Sequence, residues 1–206
     1  MTTPHFSTKE RILNAAEALF AQHGFAGTSL RLVTGRADVN LAAVNYHFGS
    51  KENLVAEVFR RRMDDMSRAR MEALAAARAQ VPMQLDAVLR AFVEPALAMS
   101  LDSHGGAAFV RVLARAYAEK NERLRKFLSE HYGHVLREFS RAIVECVPGL
   151  AKEQLYWRLD FLTGALTYAM ADFGILRRAT AGTEQAHCER AAAELVAFAA
   201  AGLRAA

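Results

Sequence analysis

The chain has 206 residues, a formal net charge of +4 and 52% hydrophobic residues, with only 12 Gly and 4 Pro. This length allows one domain or a small domain joined to a larger one, and the composition excludes a low-complexity or disordered chain. No apolar run reaches the length of a membrane span, and the N-terminus lacks the apolar core of a secretory signal. Two widely separated cysteines indicate neither a disulfide framework nor a zinc site, so we expect a cytoplasmic protein with reduced thiols.

The first predicted helix begins at a capping box, in which the Ser7 hydroxyl and the Glu10 side chain can exchange hydrogen bonds with the backbone. The residues behind it place one apolar stripe along the helix, and Gly24 is suited to end it. This stripe consists of Ile12, Leu13, Ala16, Leu19 and Phe20.

Two short helices follow the first one. Thr28 or Ser29 caps the second, and Asn40 caps the third, which covers Leu41 to His47. Helices of about two turns are marginal in water, so both need the first helix as a packing platform. The short turn between them is typical of a helix-turn-helix unit, in which the later helix enters the major groove of DNA.

The outward face of the third helix carries small and amide side chains that suit direct contact with bases. An alanine methyl can touch a thymine methyl, and an asparagine can pair with adenine. The candidate base-contacting residues are Ala42, Ala43 and Asn45. Polar and basic residues around this face are candidates for phosphate contacts, together with the first backbone amides of the fourth helix. These candidates are Thr28, Ser29, Arg31, Arg36, Asn40, Tyr46, His47 and Lys51.

Charge alone does not establish this interpretation. The first 60 residues contain six basic and five acidic residues, so a DNA-binding role depends on where the charges lie. Spacing leaves an alternative open, a small three-helix core without a partner. In that alternative Tyr46 and Phe48 are packing residues, and Lys51 is a solvated charge.

The rest of the chain also has helical periodicity. A fourth helix is predicted from Lys51, capped by Ser50, to about Ala79. We therefore expect an all-α fold of about nine helices, with a three-helix helix-turn-helix domain at 1–60 and an all-helical domain at 61–206. The later helices are predicted over 83–100, 106–119, 121–146, 151–177 and 185–204.

Three segments resemble the DNA-binding domain of TetR-family transcriptional regulators: TSLR from Thr28, ADVN from Ala37, and VNYHFGSKENL from Val44. The most specific part is YHFGSKENL, and the resemblance covers residues 7 to about 60. It implies a ligand-responsive regulator that is not an enzyme and needs no cofactor. Such a regulator binds a palindromic DNA operator as a homodimer and most often represses.

The resemblance also implies that the domain at 61–206 binds a ligand and dimerises through its last two helices. The residues alone leave open that these helices only close the core of one monomer. Segments such as LRKFLSEHYGHVLREF and ELVAFAAAGLRA are similar to the fatty-acid-responsive members of the family. That similarity implies a fatty acid or an acyl-CoA as effector, with another hydrophobic or aromatic ligand as the alternative.

Met and aromatic residues of the long helices are candidates for the lining of an effector pocket, although such residues are also typical of a plain core. The candidates are Phe92, Leu97, Met99, Phe109, Leu113, Tyr117, Phe139, Leu166, Met170 and Phe173. Basic residues that can either anchor an anionic group or form solvated helix faces are Arg111, Arg115, His134, Arg137 and Arg177.

Two rival functions start from other residue groups. His131 and His134, beside Glu130 and Glu138, could ligate a metal in a helical enzyme, but no second segment rich in ligands supports them. Arg60–Arg62 could belong to a basic amphipathic stretch of a membrane-surface or adaptor protein. Both groups are explained more simply as exposed sides of helices.

Overall fold

The computed structural model describes residues 6–102, 105–119, 121–171 and 183–205, without the side chain of Tyr117. These ranges contain nine α-helices and no strand, which confirms the predicted all-α fold. The helices are α1 (Thr8–His23), α2 (Leu30–Ala37), α3 (Leu41–Phe48), α4 (Lys51–Arg78), α5 (Leu85–Ser100), α6 (Gly106–Ala118), α7 (Glu122–Cys146), α8 (Lys152–Ala171) and α9 (Glu184–Arg204).

The helix starts follow the local capping signals of the sequence. Ser7 Oγ accepts from Glu10 N at 3.2 Å, and Glu10 Oε2 accepts from Ser7 N at 2.8 Å, which confirms the capping box. Ser29 rather than Thr28 caps α2, and Asn40 caps α3 as predicted. The predicted end of the eighth helix at 177 lies outside the described residues, as do Phe173 and Arg177.

The chain divides into two compact units. Unit 1 contains the described residues of Met1–Met63 and Ala108–Ser129, so most of α6 and the start of α7 belong with α1, α2 and α3. Unit 2 contains the described residues of Asp64–Ala107 and Glu130–Ala206. No helix within the described ranges is long and apolar enough to cross a membrane.

The core of unit 1 contains several packed aromatic rings, and it also buries side chains of the two short helices. Phe25 lies 5.3 Å from Phe20 and 6.2 Å from Phe59, measured between ring centroids, and Phe59 lies 5.3 Å from Phe109. Val33 of α2 and Val44 of α3 are fully buried in this unit. Burial of these side chains stabilises α2 and α3, which are too short to be stable alone.

Ion pairs also join α1 to the first half of α4. The carboxylate of Glu17 is buried and pairs with Arg61 and, at 3.2 Å, with Arg62 Nη2. Lys9 Nζ of α1 lies 3.3 Å from Glu57 Oε2 of α4. Because the Glu17 carboxylate is removed from solvent, its two arginine partners are required to compensate the cost of burying its charge.

Unit 2 has a core formed mainly by α5, α7, α8 and α9. Phe92 and Phe139 pack edge to face with their ring centroids 5.1 Å apart. The guanidinium of buried Arg70 lies over the Phe92 ring at 3.9 Å, and its Nε donates to Phe92 O at 2.9 Å. These contacts show that Phe92 and Phe139 are packing residues of this core.

Candidate nucleic-acid interface and effector cleft

Helix α3 presents two opposite stripes of side chains. Val44 and Phe48, four residues apart, are buried in unit 1. Ala42 and Tyr46, also four residues apart, lie on the solvent side, and Tyr46 is 85% exposed. Asn45 is exposed on the flank of α3 rather than at the centre of this outward stripe. The outward face of α3 is therefore free to approach a partner.

Polar side chains at the starts of α2 and α3 combine capping with exposure. Ser29 Oγ accepts from Leu32 N at 3.2 Å, and Asn40 Oδ1 accepts from Ala43 N at 2.8 Å. Both side chains are exposed, and each keeps a donor, the Ser29 hydroxyl and the Asn40 amide. These donors remain suitable for phosphate oxygens.

Thr28 does not fit its predicted role in phosphate contact. Its side chain is 1% exposed, and Oγ1 donates to Leu19 O at 3.2 Å and to Gly24 O at 2.8 Å. The hydroxyl therefore ties the chain after α1 to the last turns of α1. A side chain buried in this way has no oxygen or proton to offer to a phosphate, so we remove Thr28 from the candidate interface.

The basic candidates are available in solvent. Arg31 and Arg36 are exposed, Lys51 is half-buried, and none of them forms an ion pair with any residue that the structure describes. Arg31 and Arg36 are five positions apart on α2, so they extend from different sides of its exposed face. Arg36 lies beside Arg11, on the side of α2 next to α1. Arg31 and Arg36 therefore suit contacts with two different phosphates.

One amide at the start of α4, that of Asn53, differs from the expectation of free amides. Ser50 Oγ accepts from Asn53 N at 3.1 Å, and Asn53 Nδ2 donates to Phe48 O at 2.9 Å. Hydrogen bonding to its own backbone N–H, hydrogen bonding to Ser50 and the charges of Arg123 and Lys51 lower the pKa of Glu52. The amide of Asn53 is thus in use within the chain, and the phosphate contacts expected of the Lys51 and Glu52 amides stay a prediction.

Two residues outside α2 and α3, to which the sequence assigned no role, form hydrogen bonds with the backbone before α2 and at its end. Arg11 donates from Nε to Ala37 O at 3.1 Å, at the end of α2. Glu119 accepts from Phe25 N at 3.1 Å. Arg115, considered above as an anchor for an anion, instead donates to carbonyls at the end of α1. The sequence carries no local signal for these contacts, because the Glu119 and Phe25 positions are 94 residues apart.

The predicted pocket residues are divided between the two units. Phe109 and Leu113 belong to unit 1, where the Phe109 ring packs on Phe59. Phe92, Phe139 and Leu166 are buried packing residues of unit 2, and the side chain of Tyr117 lies outside the described residues. Met99 is half-buried. Core packing accounts for the burial of these aromatic residues, and their part in enclosing an effector stays a prediction.

Leu97 and Met170 line an open cleft of about 590 Å³ in unit 2, which we call the effector cleft. Its wall also includes Cys188, and burial raises the pKa of this thiol, so the sulfur is a neutral group at neutral pH. The polar lining includes Asp102, Glu184 and His187, and no Lys or Arg is among the described residues that line it.

The metal-site alternative gains no support from the described ranges. Within them, no three His, Cys, Asp or Glu side chains are grouped so that they could hold a metal ion. His131 and His134 are exposed on α7, as expected for a solvated helix face.

The arrangement of unit 1 defines a helix-turn-helix protein, with an exposed third helix held by the two helices before it. Residues 12–58 match the model of bacterial regulatory proteins of the tetR family, and residues 90–202 match the tetracyclin repressor-like C-terminal domain. The chain belongs to the TetR family of transcriptional regulators, which is a family of regulators and not of enzymes.

Similar curated proteins share the N-terminal region. The chain is 46% identical over 57 residues to YttP of Bacillus subtilis, which is 26% of this chain and 28% of that protein. It is 36% identical over 61 residues to the HTH-type transcriptional repressor SCO4008 of Streptomyces coelicolor, covering 30% of this chain and 32% of that one. The matches therefore span about a third or less of the length of each relative.

Solved structures share the whole fold. A TetR-like transcriptional regulator from Rhodococcus sp. RHA1 aligns over 100% of both chains with a TM-score of 0.67 and 20% identity. GusR of Salmonella enterica aligns over 98% of both chains with a TM-score of 0.63 and 18% identity. At these identities the likeness establishes the fold of the chain.

Proposed function

We propose that this chain is a transcriptional repressor that binds a palindromic DNA operator as a homodimer and is released by a small apolar effector. The observation that carries the proposal is the outward face of α3. Ala42 and Tyr46 lie opposite the buried Val44 and Phe48, so the helix is fixed by its core and free on the side that a major groove would meet.

The side chains around α3 have distinct roles in this proposal. Ala42 and Ala43 are small enough to bring the helix close to bases and to touch thymine methyl groups. Asn45 pairs with an adenine from the flank of the helix. Phosphate contacts fix the register without reading sequence. They come from Ser29, Arg31, Arg36, Asn40, Tyr46, His47 and Lys51.

Exposed aromatic residues on the last two helices support the homodimer. Trp157, Phe161 and Tyr168 are spaced four and seven residues apart on α8, so they form one stripe. They are 58%, 64% and 38% exposed, and Phe198 of α9 is 70% exposed. An apolar patch of this kind marks an interaction site, and a second copy can cover it by a two-fold contact.

Gly164 lies on the same stripe of α8, and a Cβ placed on it would contact nothing within 4 Å. The absence of a side chain there allows close approach of a second helix between the aromatic residues. Two recognition helices in a two-fold dimer would contact two half-sites, which accounts for a palindromic operator.

The effector cleft is our candidate for the ligand site. Leu97, Met170 and Cys188 supply an apolar wall, and the volume of about 590 Å³ suits a small organic molecule. The family resemblance suggests a fatty acid or an acyl-CoA. The alternative is another hydrophobic or aromatic ligand, which the same apolar wall would also accept.

The proposed function is tested by fluorescence anisotropy of the protein on duplexes selected from its own upstream DNA, at two salt concentrations. Salt-sensitive binding is expected, because phosphate contacts release counterions. Oleate, oleoyl-CoA and oleyl alcohol are added in parallel, and release by the alcohol alone indicates a neutral effector. Release by oleate or oleoyl-CoA supports the lipid class suggested by the resemblance, and no binding to any duplex contradicts the proposal.

A further inference from the structure

The last turn of α6 contacts the end of α1. Arg115 donates from Nε to Ala21 O at 3.1 Å and from Nη2 to Gln22 O at 3.0 Å. Carbonyls in the last turn of a helix lack partners within the helix, and a cation is favoured at that end of the helix dipole. Arg115 therefore supplies hydrogen-bond donors to the carbonyls at the C-terminal end of α1.

Glu119, just after α6, contacts the link that leads from α1 to α2. Its Oε1 accepts from Phe25 N at 3.1 Å, a charge-assisted hydrogen bond to the backbone. Phe25 follows Gly24, whose φ of +73° turns the chain away from α1. A Cβ placed on Gly24 would meet both the Glu119 carboxylate and, at 3.5 Å, Arg115 Nη1, so both side chains converge on this turn.

The first turn of α7 contacts the start of α4. Arg123 Nη1 lies 3.2 Å from Glu52 Oε1. Glu52 follows α3 after only Gly49, Ser50 and Lys51, so this pair lies at the other chain end of the helix-turn-helix. The two side chains are 81% and 55% exposed, and the pair is accordingly the weakest of these contacts.

We infer that Arg115, Glu119 and Arg123 are positioning residues for DNA binding, an inference that rests on the proposed function. They hold the α2–α3 segment at both of its chain ends, through the link before α2 and the first turn of α4. Helices as short as α2 and α3 are not stable in position without contacts to other parts of the unit. Sequence readout requires hydrogen-bond geometry, whereas attraction to phosphates depends mainly on charge.

Glu119 provides the sharpest test, because three variants separate its possible roles. Glu119→Ala removes the acceptor for Phe25 N–H, and Glu119→Gln keeps an acceptor oxygen. The matched control is Glu122→Ala, since Glu122 is exposed and pairs with Arg125 in its own helix. Each protein is titrated against a duplex selected from a random library by the parent and against its scrambled copy. Hydrogen exchange at the Phe25 amide is measured in parallel.

We expect Glu119→Ala to lose about tenfold in affinity for the selected duplex, the size of one charge-assisted hydrogen bond, and less than about twofold for the scrambled one. Glu119→Gln and Glu122→Ala should stay within about threefold of the parent on both duplexes. Exchange at Phe25 should become faster in Glu119→Ala and should not change in Glu122→Ala.

Equal losses on both duplexes, or a loss explained by a smaller folded fraction, would show that Glu119 is only structural. Faster exchange at Phe25 with unchanged DNA binding overturns the inference and leaves the proposed function intact. A parent protein that selects no duplex contradicts the proposed function itself, and the inference with it.

Discussion

The two units of the chain differ in their surfaces: one pairs its polar helix ends within the unit, and the other exposes large aromatic side chains. In unit 1, ends of helices are closed by side chains of the same unit, as when Arg11 donates to Ala37 O and Glu119 accepts from Phe25 N. In unit 2, large aromatic side chains of α8 and α9 remain exposed, among them Phe161 at 64% and Phe198 at 70%. The satisfied helix ends of unit 1 suit the fixed face that we propose for DNA, and the exposed aromatic residues of α8 and α9 suit the contact that we propose with a second copy.

The largest expected effect comes from disrupting that partner surface. Phe161→Glu places a charge on the aromatic stripe of α8, once in each copy of a dimer. We expect the dissociation constant of the dimer to rise by about 100-fold or more, the effect of removing a central interface residue. Analytical ultracentrifugation measures this constant, and operator affinity should fall with it. Leu136→Glu, at a residue of α7 that is 46% exposed, is the control, and equal behaviour of the two variants would contradict the proposed dimer.

The next largest effect distinguishes base readout by Asn45 from phosphate contact by Tyr46, both on α3. Asn45→Ala should reduce the discrimination between the selected duplex and a duplex with one altered adenine by about 1–3 kcal/mol, the value of one bidentate base contact. Tyr46→Ala should weaken both duplexes alike, because phosphate contacts carry no sequence information. Anisotropy titrations of both variants measure this difference, with Gln22→Ala as an exposed control on α1. Equal losses on both duplexes for Asn45→Ala would argue against direct readout.

A smaller effect is expected inside unit 1, at Thr28. Thr28→Val keeps the shape of the side chain and removes the hydroxyl that donates to Leu19 O and Gly24 O. The free energy of unfolding should decrease by about 1–2 kcal/mol, because buried carbonyls lose a partner. Urea denaturation measures this change, with Thr8→Val at an exposed position as the control. Unchanged stability together with weaker DNA binding would restore Thr28 to the interface.

The smallest expected effect concerns the loss of folding stability at acidic pH. Hydrogen bonds and nearby cations lower the pKa of Glu52 below its ordinary value of 4.5. A carboxylate with a lowered folded-state pKa stabilises the protein above about pH 4.5, and this contribution disappears as the pH falls through the folded value. Because Glu52 is exposed, the effect is small. Glu52→Gln should show a shallower loss of stability between neutral and acidic pH than the parent, measured by thermal unfolding; identical profiles would contradict this assignment.

Much of the fold could be predicted because its signals are local. The capping box at Ser7 and Glu10 and the cap at Asn40 depend on residues three positions apart, and the helices follow the apolar period. The outward direction of α3 also follows from period alone, since Val44 and Phe48 share one stripe.

The remaining features depend on contacts between distant residues. Thr28 has the sequence position of a helix cap, but its hydroxyl donates back to the end of α1. Phe92 and Phe139 have the composition of a ligand pocket, and their burial against each other appears only in the folded chain. Arg115 and Glu119 have no local signal at all, because their partners lie more than 90 positions earlier in the sequence.

The most direct test of the central claim is a selection of duplexes from a random library, followed by measurement of the number of chains bound per duplex. We expect a palindromic sequence with two half-sites, bound by two chains, since a two-fold dimer presents two copies of α3. Selection of an asymmetric site bound by one chain would contradict the dimeric mode of recognition. If no sequence is enriched, the claim that α3 reads DNA is wrong.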